Sequence, residues 1–382
     1  MKYLMFFCEG LAGEPVEDLG GKTPLEVAKT PFLNSLAKNA ETGTVSFVPH
    51  SLTASSDVAT LSALGCDPLQ FYTGLAPLEA AAAGISQASE DVAFRCDLVT
   101  VLDDVMVDPR AGFISDRESR LLITELASKL GIVKARFVPG GGYKNILMVG
   151  GAEADVLDDL ETVPPAAFVG EKLSKYLPKG KGARVLVEWM EKAGAILENH
   201  EINRVRIDLK ENPANRIWLW GQGKKPGLPV FAKQYGVDGA VVSDAASAKG
   251  VAMLMGMKAS EDAVEALAKA DFVFVYHSET PSETQSLKSK IKRIEDFDSK
   301  VLGPAVRAAE KSGSFRVCVT TGFVESLPKK SALHGSVPFL IAGSDIAGGA
   351  SAETFSEKTA SQGKSYFQEG KQLIEFFLKL KK

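Results

Sequence analysis

The chain has 382 residues, of which 45% are hydrophobic, 24% charged and 8% aromatic, as in a folded globular protein with a substantial core. This composition excludes disorder as the main state. The 44 basic and 48 acidic residues give a formal net charge of −4, so overall charge favours neither nucleic acid nor an anionic membrane as a partner.

The cysteines Cys8, Cys66, Cys96 and Cys318 are far apart and form no CxxC pair. This spacing predicts neither a zinc knuckle nor a disulfide framework. No apolar stretch reaches the roughly 18 residues of a membrane span, and the N-terminal YLMFFC is too short for the apolar part of a signal peptide. We therefore expect a cytoplasmic protein with no membrane partner.

Short apolar runs alternate with helical patterns in the first part of the chain. The pattern predicts strands at 3–8 and 43–48, and helices near 24–39, 57–64 and 77–83. In the last part, EDAVEALAKA predicts a helix before the strand DFVFVYH, and a helix near 296–312 precedes FRVCVTT and the buried strand VPFLIAG. This alternation predicts an α/β fold with a largely parallel sheet flanked by helices.

The middle of the chain, from about Phe94 to Gln234, has a different texture. Charged helices (RESRLLITELASKL, ARVLVEWMEKAGAIL) accompany the strand-like ARFVPG and NILMVGG. We therefore predict a core domain of residues 1–95 and 235–382, interrupted by a smaller α/β substrate or lid domain of residues 96–234. The terminal EGKQLIEFFLKLKK predicts a packed amphipathic helix.

In parallel sheets the chemistry lies beyond the carboxyl ends of the strands. Four segments have that position in the predicted sheet. They are Glu9 after the first strand, the segment 277–283, the segment 321–323, and His334 just before the last strand.

Ser56, in SSDVATLSALG, lies at or near a predicted helix start, and Gly65 is a plausible stop signal. Free backbone N–H groups and the helix dipole at that point favour a phosphate and would stabilise a developing Ser56 alkoxide. The alternative is that Ser55, Ser56 or Asp57 only caps the helix. Local sequence leaves both interpretations open.

Six segments together resemble one family. They are LGGKTPLEVAKTPFLNSLAKNAETG, SSDVATLSALGCDPLQFYTGLAPLEAAAAGI, FRCDLVTV, RAGFIS, NPANRIWLWGQGKKP and VDGAVVSDAASAKGVAMLMGM. The chain resembles the archaeal-type cofactor-independent phosphoglycerate mutases of the alkaline phosphatase superfamily. The resemblance implies an α/β core interrupted by a smaller domain. It also implies two divalent metals, usually manganese, magnesium or zinc, and a serine, Ser56, that accepts the phosphoryl group of phosphoglycerate and returns it to the neighbouring hydroxyl.

The metal positions that the resemblance implies are changed at the first two strand ends. Glu9 stands where the family has an Asp ligand, and Gly13 replaces a second Asp nearby. A gapless comparison puts Glu279 at an Asp ligand position and Glu283 at a His ligand position.

The remaining ligand positions depart further. Gly322 and Phe323 stand where the family has adjacent Asp and His ligands, and the last His ligand falls near Ala332, two residues from His334. Thr60 takes the place of a His near the nucleophile, and Leu75 that of an Arg in the phosphate-binding loop. Of the nucleophile and ligands, only Ser56 is unchanged.

These changes predict at most one weakly bound divalent ion, where the family uses two. Glu9 and Ser56 alone are too few donors for one site. Glu279 and Glu283, with His334 as a third ligand, would suit Mg²⁺, Mn²⁺ or Ca²⁺. The alternative is that the glutamates begin a solvated helix and that His334 binds nothing.

Substrate-binding positions are better retained. Asp57, Arg110, Lys224 and Trp220 match the family, in which Arg and Lys residues of these segments bind phosphate and carboxylate by charge-assisted hydrogen bonds. We therefore expect a small phosphorylated or anionic ligand. The alternative is that they are surface charges and a buried aromatic residue.

Two function classes follow from the resemblance. The first is a phosphoglycerate mutase-like protein with lost or strongly altered phosphoryl transfer, which is a catalytically silent paralogue. The second is an active 2,3-bisphosphoglycerate-independent phosphoglycerate mutase, or a related phosphotransferase, with Ser56 as phosphoryl acceptor. The loss of ligands favours the first.

Overall fold

The structure, a computed structural model, describes residues 1–278, 286–346 and 352–379. The strands within them are β1 (Lys2–Cys8), β2 (Glu41–Val45), β3 (Val92–Leu102), β4 (Val105–Asp108), β5 (Ala135–Gly141), β6 (Lys144–Val149), β7 (Arg216–Lys224), β8 (Gly239–Ser243), β9 (Lys258–Ala259), β10 (Phe272–His277), β11 (Phe315–Thr320), β12 (Val324–Ser326), β13 (Ser331–Leu333), β14 (Val337–Gly343) and β15 (Ser365–Phe367).

The α-helices are α1 (Pro24–Val27), α2 (Pro31–Ala37), α3 (Ser56–Ala63), α4 (Pro68–Phe71), α5 (Leu75–Ala82), α6 (Asp116–Lys129), α7 (Ala152–Leu157), α8 (Ala183–Leu197), α9 (Glu201–Asp208), α10 (Phe231–Tyr235), α11 (Ala246–Leu254), α12 (Ala263–Lys269), α13 (Leu287–Asp296), α14 (Gly303–Lys311), α15 (Glu357–Ser361) and α16 (Gly370–Lys379). Short 3₁₀ segments span Glu17–Leu19, Ala111–Phe113, Pro165–Phe168 and Leu173–Lys175, and a π-helical turn spans Phe297–Leu302.

The chain divides into two compact units. The first consists of Met1–Tyr72 and Gly227–Lys382, and the second is Thr73–Pro226. The predicted boundaries at 95/96 and 234/235 therefore lie inside units. The first of them would cut β3 at Arg95, although β3 runs unbroken from Val92 to Leu102 and pairs with β6 and β7.

An eight-stranded sheet in the order β15-β2-β14-β11-β1-β10-β8-β9 forms the centre of the first unit. The central strands β11, β1, β10 and β8 are parallel to their neighbours within that group. Most of their residues are buried, which explains why these strands are continuous apolar runs in the sequence. The predicted α/β fold with a largely parallel sheet is confirmed.

Predicted helices of the first unit are present with small changes. The helix expected at 24–39 is two helices, α1 and α2, because Pro31 lacks the N–H that a continuous helix would need there. The terminal helix α16 packs as expected, with Leu373, Ile374 and Phe377 buried.

The second unit contains an antiparallel sheet. Strands β4, β3, β6 and β5 follow one another, and β7 pairs with the other edge of β3. Helices α6 and α8 correspond to the two charged helices expected from the sequence. Each buries an apolar stripe, which includes Leu122 in α6 and Trp189 in α8. No helix within residues 1–278, 286–346 and 352–379 combines the length and the apolar character that a membrane span requires.

Candidate active site

Ser56 is the first residue of α3, as the sequence predicts. Ser55 is the N-cap residue, and its side chain makes no capping hydrogen bond to the first turn of α3. The Ser56 hydroxyl lies 3.2 Å from the hydroxyl of Ser247, which is buried in α11. The hydroxyl of Ser56 is therefore engaged with a neighbouring element rather than with its own helix end. Thr60 donates to the Ser56 carbonyl at 2.6 Å.

Tyr276 connects Ser56 with Glu9. Tyr276 ends the apolar part of β10. Its hydroxyl donates a hydrogen bond to Oε2 of Glu9 at 3.1 Å and is also hydrogen-bonded to the Ser56 side chain. Burial raises the pKa of Tyr276 well above its ordinary value, and the nearby Glu9 charge adds to this rise. The phenol therefore stays neutral at neutral pH and acts as a hydrogen-bonded bridge.

Glu9 directly follows β1, so parallel pairing places it beside the end of β10. Its backbone N–H donates to the His277 carbonyl at 2.9 Å. Burial raises the pKa of the Glu9 carboxyl, the Tyr276 donor opposes that rise, and Glu325 adds to it. The structure thus brings the predicted Glu9 and Ser56 to one place, joined through Tyr276.

Asp57 is buried, and one of its carboxylate oxygens accepts a hydrogen bond from the Tyr72 hydroxyl at 2.8 Å. Its role in substrate binding stays a prediction. The observed partner is an internal tyrosine.

A cavity of about 310 Å³ opens beyond the ends of β8 and β10. Its lining includes Tyr276, His277 and Asp244, and the His277 Nδ1 lies 3.6 Å from an Asp244 oxygen. Tyr276 therefore contacts both this cavity and the Ser56 network.

The end of β11 has a different chemical character. A Cβ atom at Gly322 would lie 2.6 Å from the Cβ of Ala59 and 3.2 Å from Cε1 of Phe7. The next side chain, Phe323, is only 6% exposed. The space around position 322 is therefore filled by hydrocarbon and leaves no room for a larger side chain there.

His334 lies on the surface. Its Nε2 is 2.7 Å from the Leu52 carbonyl, and its ring lies 5.3 Å from that of His50. Glu279 and Glu283 lie outside the described residues. Within the described residues, no three His, Cys, Asp or Glu side chains are grouped so that they could hold a metal ion.

Arg110, in the second unit, precedes a left-handed turn. Ala111, Gly112 and Phe113 have φ angles of 47°, 61° and 52°, a conformation that costs free energy for the two residues with a side chain. The Arg110 guanidinium lies 4.6 Å from the centre of the exposed Phe113 ring. The turn presents Arg110 and Phe113 as a stacked pair.

Two polar side chains hold this turn, the half-buried Asp108 and the buried Arg206. Asp108 accepts hydrogen bonds from the N–H groups of Arg110 and Gly112, both at 2.8 Å, and from Asn212 at 3.0 Å. Burial opposes ionisation of Asp108, but these three donors outweigh it and lower its pKa. Arg206, 3% exposed, donates to the Ala111 carbonyl at 3.0 Å.

Lys224 ends β7 and donates to Asp155 at 3.1 Å. Trp220, on the same strand, donates from its indole nitrogen to Asp97 at 2.8 Å, and its ring lies 5.3 Å from the Arg95 guanidinium. Trp220 thus belongs to a polar cluster of the second unit's sheet.

Comparisons with known proteins assign the chain to a family. Residues 37–203 match the model of the 2,3-bisphosphoglycerate-independent phosphoglycerate mutase family. The protein of that name from Methanothrix thermoacetophila is 37% identical over 99% of this chain and 100% of its own length. The chain belongs to this family. A probable mutase from Geobacter sulfurreducens is 35% identical over the same shares of the two chains.

Solved structures agree with this assignment. The PH0037 protein from Pyrococcus horikoshii superposes with a TM-score of 0.81 at 25% identity, covering 99% of this chain and 97% of its own. A cofactor-independent phosphoglycerate mutase from Thermoplasma acidophilum gives 0.63 at 25% identity over the full length of both chains. The family predicted from the sequence is confirmed. The names of these mutases favour an active mutase over the predicted loss of activity.

The described residues of this phosphoglycerate mutase-like chain do not fit a two-metal centre. Gly322 has no donor, Phe323 contributes only hydrocarbon, and the Glu9 carboxylate accepts from Tyr276. Paired catalytic metals each need several donors at fixed distances. The lack of metal donors is greatest at the end of β11, because no donor side chain fits at position 322.

Sequence reasoning missed several polar residues of this edge of the sheet. They are Ser247, Tyr276, Lys290, Arg293 and Glu325. Tyr276 follows four apolar residues and precedes His277, so its position at a strand end was a usable signal. The burial of Lys290 depends on how α13 packs, which local sequence does not show.

Proposed function

We propose that this chain is a phosphoglycerate mutase-type protein that binds a small phosphorylated acid, and that its phosphoryl transfer is lost or strongly altered. The packing of Gly322 against Ala59 and Phe7 carries the second part of the proposal. An Asp or any other donor side chain at position 322 would have to displace α3, which also carries Ser56.

The surroundings of Ser56 support the same conclusion. A serine hydroxyl needs a base, a lowered pKa or a metal ion to become a useful nucleophile. Its contacts are the hydroxyls of Ser247 and Tyr276, and the Tyr276 phenol has a pKa well above its ordinary value. Neither hydroxyl is a base that would take the Ser56 proton at neutral pH.

Ligand binding makes smaller demands than phosphoryl transfer. In the first unit, free N–H groups at the start of α3 favour an anion. In the second unit, Arg110 and Lys224 offer charge-assisted hydrogen bonds to phosphate and carboxylate groups. The left-handed turn held by Asp108 and Arg206 supports a role for Arg110, because backbone strain persists where surrounding structure enforces it. We assign substrate binding in the second unit to this turn and Lys224.

We also propose a cytoplasmic location. All four cysteines are buried thiols, which agrees with a reducing compartment. The net charge of −4 agrees with a small-molecule ligand rather than nucleic acid.

A second candidate function is active 2,3-bisphosphoglycerate-independent phosphoglycerate mutase activity with Ser56 as phosphoryl acceptor. The comparisons favour it, because relatives that match this chain over its full length carry that name. Glu279 and Glu283 would then have to supply donors that the described residues do not.

Calorimetric titration with 3-phosphoglycerate tests the binding proposal. We expect saturable binding by the parent protein and at least about tenfold weaker binding by Arg110→Ala, since a charge-assisted contact is worth more than about 1.4 kcal/mol. Arg117→Ala is the control, because Arg117 is exposed and on a neighbouring helix. Equal affinities of all three proteins, or no binding by the parent, would contradict the proposal.

A coupled mutase assay separates the two candidates. The parent and Ser56→Ala are compared with 3-phosphoglycerate in Mn²⁺ and in Mg²⁺. We expect no turnover that depends on Ser56, since loss of electrostatic stabilisation costs about 10²–10³ in rate for one group alone. Robust turnover that disappears in the variant would establish the second candidate.

A further inference from the structure

A fully buried lysine lies behind the loop that follows β1. Lys290, on α13, is 0% exposed. Its ammonium lies 2.9 Å from Oε2 of Glu325 and also donates to the carbonyls of Glu325 at 3.1 Å and Ala12 at 3.4 Å. Three oxygen acceptors therefore surround a cation that has no access to water.

Arg293 adds a second cation on the same face of α13, three residues further on. Its Nη1 lies 3.6 Å from Oε2 of Glu325, and a Cβ atom at Gly10 would lie 2.6 Å from that nitrogen. The guanidinium thus packs directly against the backbone next to Glu9.

Both cations lie beside the carboxylate of Glu325, and Arg293 also acts on the charge of Glu9. Burial opposes ionisation of Glu325, but Lys290 and Arg293 outweigh it and hold the pKa of that carboxyl below its ordinary value. A Cβ atom at Gly13 would lie 3.1 Å from the Lys290 ammonium nitrogen. The ammonium therefore borders the position at which the family resemblance implies an Asp.

We propose that Lys290 and Arg293 supply, as fixed side-chain charges, the positive charge that the family resemblance assigns to divalent metal ions at this edge of the sheet. The inference deepens the proposed function, since it rests on the loss of the two-metal centre. It also explains how the Glu325 carboxylate is kept ionised without metal ions, because the Lys290 ammonium and the Arg293 guanidinium both lie beside it.

Removal of one cation should leave the Glu325 carboxylate with only the other cation beside it. Thermal unfolding of the parent, Lys290→Met and Arg293→Met, each in excess EDTA and in excess MnCl₂, measures the consequence. In EDTA we expect Lys290→Met to lower the Tm by about 4–6 °C, because breaking a buried ion pair is strongly destabilising. Lys288→Met, an exposed lysine of the same helix, is the control and should leave the Tm nearly unchanged.

The response of the variants to Mn²⁺ distinguishes two possibilities. In one, Lys290 and Arg293 replace the charge of metal ions; in the other, they form an ordinary structural ion pair with Glu325. We expect Mn²⁺ to raise the Tm of Lys290→Met and Arg293→Met by several degrees more than that of the parent or Lys288→Met. Electron paramagnetic resonance should show tighter Mn²⁺ binding by these two variants. An equal Mn²⁺ response in all four proteins would overturn the proposal.

The double variant Lys290→Met/Glu325→Gln keeps the test decisive if Lys290→Met does not fold. It removes both charges, so we expect it to fold, to have a higher Tm than Lys290→Met and to show no extra response to Mn²⁺. A Mn²⁺ response as large as that of Arg293→Met would contradict the role of Glu325. These readouts need neither ligand nor turnover, so their failure is distinguishable from failure of the proposed function.

Discussion

Two neighbouring strand ends at one edge of the large sheet differ completely in chemistry. Glu9 and Gly322 each lie two residues beyond the paired residues Phe7 and Thr320 of the parallel strands β1 and β11. Beyond β1 a carboxylate is hydrogen-bonded to Tyr276 and so to Ser56. Beyond β11 the space is filled by Phe7, Ala59 and Phe323.

This contrast shows that the family fold and the position of Ser56 can be kept when the end of one neighbouring strand is apolar instead of polar. The polar end keeps groups that can hold Ser56 in place. The apolar end stabilises the fold through close packing, and that packing itself excludes a donor side chain. The two ends therefore make different demands on substitution, and the following variants test that difference.

The largest effect is expected at the apolar end. Gly322→Ala should lower the free energy of unfolding by about 3 kcal/mol, because its Cβ would lie 2.6 Å from that of Ala59 and overpacking costs this order of energy. Urea unfolding measures the change. Gly227→Ala, with nothing within 4 Å of its Cβ, is the matched control and should stay within about 0.5 kcal/mol of the parent. Equal losses in both variants would show that position 322 is not tightly packed.

A smaller effect is expected at the polar end. Tyr276→Phe removes the donor to the buried Glu9 and should cost about 2 kcal/mol near neutral pH, the penalty of an unsatisfied buried polar group. Urea unfolding monitors it as a function of pH.

The pH dependence of this loss has a definite sign. Burial raises the pKa of Glu9 in the folded state, so its contribution to stability is fully present below about pH 4.3 and is lost as pH rises through the folded pKa. The ionised form is the one that needs the Tyr276 donor. The effect of Tyr276→Phe should therefore be larger at neutral pH than in acid. A loss that is constant with pH would argue against the Tyr276–Glu9 contact.

The smallest effect is expected from Ser247→Ala. It removes one partner of the Ser56 hydroxyl and leaves the Tyr276 contact, so the free energy of unfolding should fall by about 1 kcal/mol. Ser51→Ala, at an exposed serine, should change it by less than about 0.5 kcal/mol. If Ser247→Ala behaves like this control, the Ser56–Ser247 contact contributes nothing measurable.

Much of the fold could be predicted because the buried parallel strands are continuous apolar runs. DFVFVYH and FRVCVTT mark β10 and β11 closely. The domain boundary was missed because β3, central in an antiparallel sheet, is itself a long buried run. It resembles a strand of the parallel core, so the local pattern did not show which sheet it joins.

The site was predictable in part for related reasons. Serines before an apolar helix fixed the position of Ser56, and strand ends indicated Glu9. The three lysines of KSKIKR look alike in sequence, and only packing shows that Lys290 is buried while its neighbour Lys288 is exposed. The close approach of Gly322 to Ala59 joins residues far apart in the chain, which no local pattern reveals.

Anomalous diffraction from crystals grown in excess Mn²⁺ tests the absence of a two-metal centre most directly. Because no donor side chain fits at position 322, we expect no pair of manganese peaks near Ser56. Two peaks about 3.5–4 Å apart beside the Ser56 hydroxyl, the spacing of paired catalytic metals, would contradict it.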